Sequence, residues 1–244
     1  MELWGITDSG KVRKYNQDVF QMLFDEEKDT AVLVVCDGMG GANAGNIASE
    51  LAADAFIDHM NKNLAEIGTH RSIATIVTDA VESANTAVFD KSLYDAELSG
   101  MGTTLTAAVS TPKGEVVANI GDSRMYHITT QKISQITTDH SVVQEMIERG
   151  EISRNDARVH PSKNLITRAL GTNIYQPPDI FFLNLEVGEY ILLCSDGLSN
   201  VVSDDEIFIE LQREKPVREF CEVLVDMALE RGAPDNVTAV IFKK

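Results

Sequence analysis

Four aspartates stand where apolar runs end. Ala31 to Cys36 runs into Asp37-Gly38-Met39-Gly40-Gly41, and Val116 to Ile120 runs into Gly121-Asp122-Ser123-Arg124. Tyr190 to Cys194 runs into Ser195-Asp196-Gly197, and Asp235-Asn236 immediately precedes Val237 to Phe242. A carboxylate at the mouth of a buried strand is costly to desolvate unless positive charge meets it. Only Asp122 has a basic residue within two positions, Arg124. Such a set of oxygen ligands suits a hard divalent cation, Mg²⁺ or Mn²⁺. Asp18, in Asn16-Gln17-Asp18, is a fifth possible ligand, and Arg13 offers a planar fork of donors suited to a phosphate.

Other chemistries find less support. His140, after Thr137-Thr138-Asp139, and His160, before Pro161, have the residue type for acid–base work, but lone histidines are more often structural. No Gly-x-Ser-x-Gly elbow points to a serine hydrolase, and five His without close pairs argue against zinc. No Gly-Lys-Ser/Thr follows Gly38, Gly40, Gly41 and Gly45, so those glycines read first as a tight turn into a helix.

Positioning these residues requires strands that end together. Strand candidates crowd between Thr103 and Ile136, with turns at Pro112-Lys113-Gly114 and Thr129-Thr130-Gln131. Further strands are expected near Phe181–Leu185, Tyr190–Cys194 and Val237–Phe242. Long helical patterns run from about Ala44 to Glu66, with Ile47, Leu51, Ala55 and His59 at helical spacing, and from about Ile73 to Leu98. A short helix, Val142 to Arg149, is capped by Ser141 and stopped by Gly150, and two more are expected near Asp204–Glu214 and Val217–Arg231. The polar stretch Glu151–Pro161 reads as a mobile loop or flap. Strands in runs and helices in pairs suit antiparallel sheets with segregated helices better than alternating parallel units.

Length and charge bound the rest. The 244 residues suffice for one large domain, and the charged and apolar fractions, 24% and 43%, are those of a globular chain. A net charge of −17 argues against nucleic acid and against an anionic membrane surface. No apolar run is long enough to span a bilayer and no secretory signal opens the chain. Cys36, Cys194 and Cys221 show no metal-ligand spacing and read as small core residues. A cytoplasmic protein is expected.

The ordered set is far more specific than its parts. Asp18, Asp37 to Gly41, Gly102-Thr103-Thr104, Gly121 to Arg124, Ser195-Asp196-Gly197 and Asp235-Asn236, at these separations, resemble the metal-dependent protein phosphatase family, type 2C, also called PPM. Asp139-His140-Ser141 and Ile166 to Gly171 are similar to its compact bacterial branch, and the resemblance runs from Trp4 to Phe242. It implies an α+β fold: a four-layer αββα sandwich of two antiparallel β-sheets flanked by helices on both faces, with residues 1–244 as a single catalytic domain and a flap at about 145–165. It implies serine/threonine dephosphorylation by in-line attack of water bridging two Mg²⁺ or Mn²⁺ ions, with Asp37, Asp196 and Arg13 carrying catalysis. Carried over by position, Asp37 bridges the ions, Asp196 and Asp235 complete the first, and the Gly38 carbonyl, with Asp18 nearby, serves the second. Asp122 corresponds to a ligand of a weaker third ion shared with Asp196, and Arg13 to the phosphate-holding arginine. Implied partners are phosphorylated proteins, including a serine/threonine kinase, for a monomer that binds neither nucleic acid nor membrane.

Two departures stand out. Met39 occupies a position where many eukaryotic relatives carry a His proposed as general acid, and Asn200 one where many carry an Asp. The competing reading is an inactive pseudophosphatase that serves as a binding module. Retention of Asp37, Asp196 and Asp235 speaks against it.

Overall fold

The computed structural model describes residues 1–40, 44–67, 72–213 and 215–244. Gly41, in the glycine-rich motif, and Glu214, at the expected end of a helix, lie outside the described residues. The strands are β1 (Glu2–Asp8), β2 (Asp18–Asp25), β3 (Thr30–Met39), β4 (Gly102–Thr103), β5 (Leu105–Thr111), β6 (Gly114–Ile120), β7 (Arg124–Ile128), β8 (Ile133–Gln135), β9 (Asp179–Leu183), β10 (Tyr190–Cys194) and β11 (Val237–Lys243). The helices are α1 (Ala44–Asn63), α2 (Ile73–Tyr94), α3 (Val142–Glu148), α4 (Arg154–Val159), α5 (Asp196–Ser199), α6 (Asp204–Leu211) and α7 (Val217–Glu230).

The strands form two antiparallel sheets, β1-β11-β10-β7-β8 and β2-β3-β5-β6-β9, with β4 paired to β3. The α+β sandwich is the expected one. Its logic is visible in β3, whose apolar run does not alternate with polar residues because both faces are covered. Ala31, Leu33 and Val35 pack between the sheets with Ile191, Leu193, Val240 and Phe242. Val32, Val34 and Cys36 face the other way, into a layer with α1 and α2. On the opposite side Leu192, Cys194, Ala239 and Ile241 pack against residues of α6 and α7. The three cysteines are buried and free, and burial pushes the Cys194 and Cys221 thiols up to about 12.

Several boundaries moved. The long helical patterns stop at Asn63 and Tyr94, each followed by a short 3₁₀ turn, Leu64–Glu66 and Ala96–Leu98. The α1 stripe expected at Ile47, Leu51, Ala55 and His59 is only half-buried. The buried stripe lies one residue on, at Ala48, Ala52, Phe56 and Met60. Alanines there let the helix approach both the sheet and α2, so small residues rather than the larger aliphatics mark the deepest face. The strand expected at Phe181–Leu185 begins two residues earlier, and α6 ends at Leu211.

The stretch Glu151–Pro161 is not wholly irregular. It contains α4, closed at its start by a capping box in which Ser153 Oγ accepts from the Asp156 N–H and Asp156 accepts from the Ser153 N–H. That Ser-x-x-Asp signature lies in the sequence, but the polar composition masked it. Among the described residues no helix is long and apolar enough to cross a membrane.

Candidate active site

Strand ends from both sheets meet at one end of the sandwich. Asp37 lies near the end of β3, directly across from Asp18 at the start of β2. Asp122 sits in the turn between β6 and β7, Asp196 opens α5 just after β10, and Asp235 precedes β11. Each apolar strand therefore delivers its carboxylate where the expected pattern put it.

The Asp37 backbone is fixed from β4 and the start of β5. Its N–H donates to Thr104 Oγ1 at 2.9 Å, and its carbonyl accepts from the Thr104 N–H at 2.9 Å and from Thr103 Oγ1 at 3.0 Å. Gly38 is demanded by contact rather than by a turn. A Cβ there would lie 2.0 Å from the Gly45 carbonyl oxygen at the start of α1. Gly197 is similar: a Cβ would lie 1.9 Å from the Asn236 carbonyl oxygen.

Asp18 is buried, and a chain of hydroxyls holds one side of it. Ser195 Oγ and Thr238 Oγ1 donate to its Oδ2 at 2.6 and 2.7 Å. Thr238 Oγ1 also lies 2.7 Å from Thr7 Oγ1, which accepts from Asn16 Nδ2. The other oxygen, Asp18 Oδ1, is buried with no hydrogen-bond partner among the described residues. A buried carboxylate oxygen left unmatched carries its full desolvation cost.

The remaining acids are held by neighbours. Arg13 donates to Asp235 Oδ2 at 2.7 Å from a half-exposed position, and Asn200 Nδ2 donates to Asp196 Oδ2 at 3.0 Å. Arg124 does not pair with Asp122. Its guanidinium forks onto Asp139, with Nη2 2.7 Å from Oδ2 and Nε 3.0 Å from Oδ1. Gly121, at φ +106°, is clamped by His140: its N–H donates to Nδ1 at 3.0 Å and its carbonyl accepts the His140 N–H at 2.9 Å. On the other side of the ring, Nε2 lies 3.1 Å from Asp179 Oδ2 and 2.8 Å from Arg168 Nη1, which also donates to Asp179 Oδ1 at 2.7 Å. Burial lowers the His140 pKa, which keeps the ring neutral. His140 thus sets the turn that carries Asp122. His160 Nδ1 accepts the Ser162 N–H, so it too is structural.

The electrostatics bind these parts together. Burial first, and then repulsion from Asp18, Asp196, Asp122 and Asp235, raises the Asp37 pKa well above the carboxylate range. Burial and Asp196 do the same to Asp122. Burial pushes Asp18 up to about 7, and burial together with Asp235 pushes Asp196 up to about 6. Among the described residues no three His, Cys, Asp or Glu close on one point as a finished metal shell. The acids are near enough to repel one another, while Arg13 and Asn200 draw Asp235 and Asn200's partner Asp196 into other contacts. All the donors are oxygens, the unmet charge is negative, and Asp18 Oδ1 lacks a partner. That chemistry fits a hard divalent cation.

Ser195, Thr103, Thr104 and Asn236 stand inside motifs of the sequence that assign them no task, whereas His140, an acid–base candidate there, takes the structural alternative. Asn236 pins the loop that carries Arg13: its Nδ2 donates to the carbonyls of Ser9 and Tyr15, and its Oδ1 accepts the Gln17 N–H. Its signal was an amide at the mouth of an apolar strand. Thr238, whose hydroxyl reaches Asp18, looked like an ordinary strand residue and gave no such signal.

Comparison with known proteins agrees with this geometry. The family profile described as Protein phosphatase 2C matches residues 11–240. Serine/threonine phosphatase stp of Listeria monocytogenes is 35% identical over 238 residues, covering 98% of this chain and 94% of that protein. The crystal structure of serine/threonine phosphatase Stp1 from Staphylococcus aureus superposes with a TM-score of 0.90 at 33% identity, covering 100% of this chain and 94% of that one. A structure of the PstP catalytic domain in complex with two manganese ions gives 0.85 at 34% identity, over 98% of this chain and 96% of that one. The match spans nearly the whole sequence and every strand end that carries an aspartate, and this chain belongs to the protein phosphatase 2C family.

Proposed function

We propose that this chain is a metal-dependent protein serine/threonine phosphatase. The observation that carries the reading is the meeting of Asp18, Asp37, Asp122, Asp196 and Asp235 at one end of the sandwich, with Asp18 Oδ1 buried and unmatched. Relatives named as serine/threonine phosphatases over nearly the full length support it. Nothing in the site or among the relatives favours the inactive binding-module alternative.

In this reading Asp37 and the Gly38 carbonyl hold two ions, Mg²⁺ or Mn²⁺, with Asp196 and Asp235 on one of them and Asp18 behind the other. When bound, such ions would neutralise the carboxylates and lower the pKa of a water. Arg13 moves its fork from Asp235 to the phosphate oxygens and orients the ester for in-line attack. Thr103 and Thr104 keep the Asp37 backbone from shifting as charge develops. Met39 has no proton to give, so the leaving alkoxide takes its proton from a water or from another group. Asp122 and Asp196 hold a third ion weakly, because Asn200 contributes an amide where a carboxylate would bind more strongly.

The same proposal extends to the whole chain: residues 1–244 act as one catalytic domain, monomeric and cytoplasmic, opposing a serine/threonine kinase. The flap at about 145–165 governs substrate choice rather than bond cleavage. Substituting its charged residues is expected to change turnover of phosphoproteins and leave p-nitrophenyl phosphate hydrolysis nearly intact. Phosphate release from phosphothreonine and phosphoserine peptides, titrated with Mn²⁺ and with Mg²⁺ and then stripped with EDTA, tests the function. Turnover that appears with either ion and vanishes on chelation supports it. No turnover at any metal concentration overturns it.

A further inference from the structure

A cavity of about 340 Å³ opens between the flap and the ends of the strands that carry Asp122 and Asp196. Its size is in the range of small-ligand pockets. Its lining includes Asp122 and Asp196 and also Arg154, Arg158 and Lys163. The acids nearby are already engaged. Asp139 takes the Arg124 fork, Glu206 takes Arg231 and the Ser203 cap, and Asp204 accepts the Tyr126 hydroxyl. Among the described residues the side chains of Arg154, Arg158 and Lys163 make no ion pair or hydrogen bond, and Lys163 acts on Asp196 only through space.

Three unpaired cations gathered at one cavity are unexpected in a chain of net charge −17. The helix of the two arginines is set by its cap. Arg154 and Arg158 lie one turn apart on α4, so they share a face. The capping box holds the start of that helix, and Ala157 is buried beneath it. Lys163 is near enough to help lower the Asp196 carboxyl against the burial that raises it. The cavity wall is polar as well, with Gln144 from α3 and Asn200 after α5, so an apolar side chain would strip water from these groups without replacing its hydrogen bonds.

We propose that this cavity is a subsite for an anionic side chain of the substrate, close in sequence to the phosphoresidue being hydrolysed. The group is a carboxylate or a second phosphate, held by charge-assisted hydrogen bonds from Arg154, Arg158 and Lys163. The enzyme then selects phosphoproteins whose target residue lies in an acidic or multiply phosphorylated stretch. This inference rests on the reading of the chain as a phosphatase whose flap meets the substrate.

The test is a set of phosphothreonine peptides alike except for one neighbouring position, which is Ala, Glu, phosphoserine or Lys and is moved through both flanks of the target. Wild-type enzyme is expected to turn over the Glu or phosphoserine peptide about tenfold better in kcat/KM than the Ala peptide at one or more positions, and the Lys peptide worse. The two anionic arms separate a carboxylate site from a phosphate site. The preference should shrink as salt is added. In the Arg154→Glu/Arg158→Glu variant, and separately in Lys163→Glu, the order should invert towards Lys. Equal kcat/KM for all four peptides at every position at low salt overturns the subsite, and it does so on wild-type enzyme alone. If the variants lose turnover of all four peptides equally while p-nitrophenyl phosphate is spared, the flap reading stands and the anionic subsite falls. If p-nitrophenyl phosphate is lost in parallel with the peptides, the flap reading itself falls.

Discussion

At the scale of single residues, the site is a set of acids in search of positive charge. Asp37 repels Asp18, Asp196, Asp122 and Asp235. If Asp37 holds both ions as proposed, replacing it by Asn is expected to cost several orders of magnitude in turnover. Phosphopeptide hydrolysis at saturating Mn²⁺ checks this, and a near-normal rate would remove Asp37 from the centre of the site. Arg13 makes a different prediction. It is half-exposed and sits on Asp235 at 2.7 Å, a position from which it can turn to the phosphate. Arg13→Ala should raise KM more than it lowers kcat, with a loss of about 1.5–3 kcal/mol in kcat/KM, because the lost contact serves ground state and transition state alike. A kcat defect with unchanged KM would move Arg13 to a transition-state role.

At the scale of elements, what matters is how little freedom each one has near the acids. The α1 start and the end of β3 approach so closely that only glycine fits at 38, and the β10–α5 corner imposes the same on Gly197. The flap is held more lightly. α4 has one turn and a half, a capping box and a single buried side chain, Ala157. Ser153→Ala removes one acceptor and one donor of that box and should cost the helix about 1 kcal/mol. Faster amide exchange through residues 154–159, with little change in overall Tm, is the expected result. Protection of α4 equal to that of β3 in wild-type protein would contradict a separately opening flap.

At the scale of the whole molecule, burial of the acids ties stability to pH and to metal. In the folded chain Asp18 keeps its proton to about pH 7 and Asp196 to about 6, whereas an unfolded Asp loses it near pH ~4. Between those limits the folded state binds more protons than the unfolded one. Stability without metal is therefore fullest at the acid end of this window and falls as pH rises through it. A divalent ion reverses the trend, since it binds the ionised carboxylates of the folded state and not the protonated ones. The Tm gain on adding Mn²⁺ to EDTA-stripped protein should thus be clearly larger at about pH 7.5 than at about pH 5. An equal gain at both would place the ion away from these carboxylates.

The four strand-end aspartates and the apolar runs were legible in the sequence, because a strand buried on both faces writes itself as an unbroken apolar run and its end is where a charge can surface; the two-sheet sandwich came only with the family resemblance. The short helix α4 was legible in principle through Ser153 and Asp156 but was hidden by polar composition. What only the tertiary structure decided was who meets whom. That Thr238 and Ser195 would hold one oxygen of Asp18, that His140 would clamp Gly121, and that Arg124 would choose Asp139 over Asp122 depend on contacts between residues 15 to 220 positions apart. Local sequence encodes the periodicity of an element and the chemistry of its ends. The partner of a polar group in the interior is set by how sheets and loops stack in space, where long-range packing chooses among many donors of the same type.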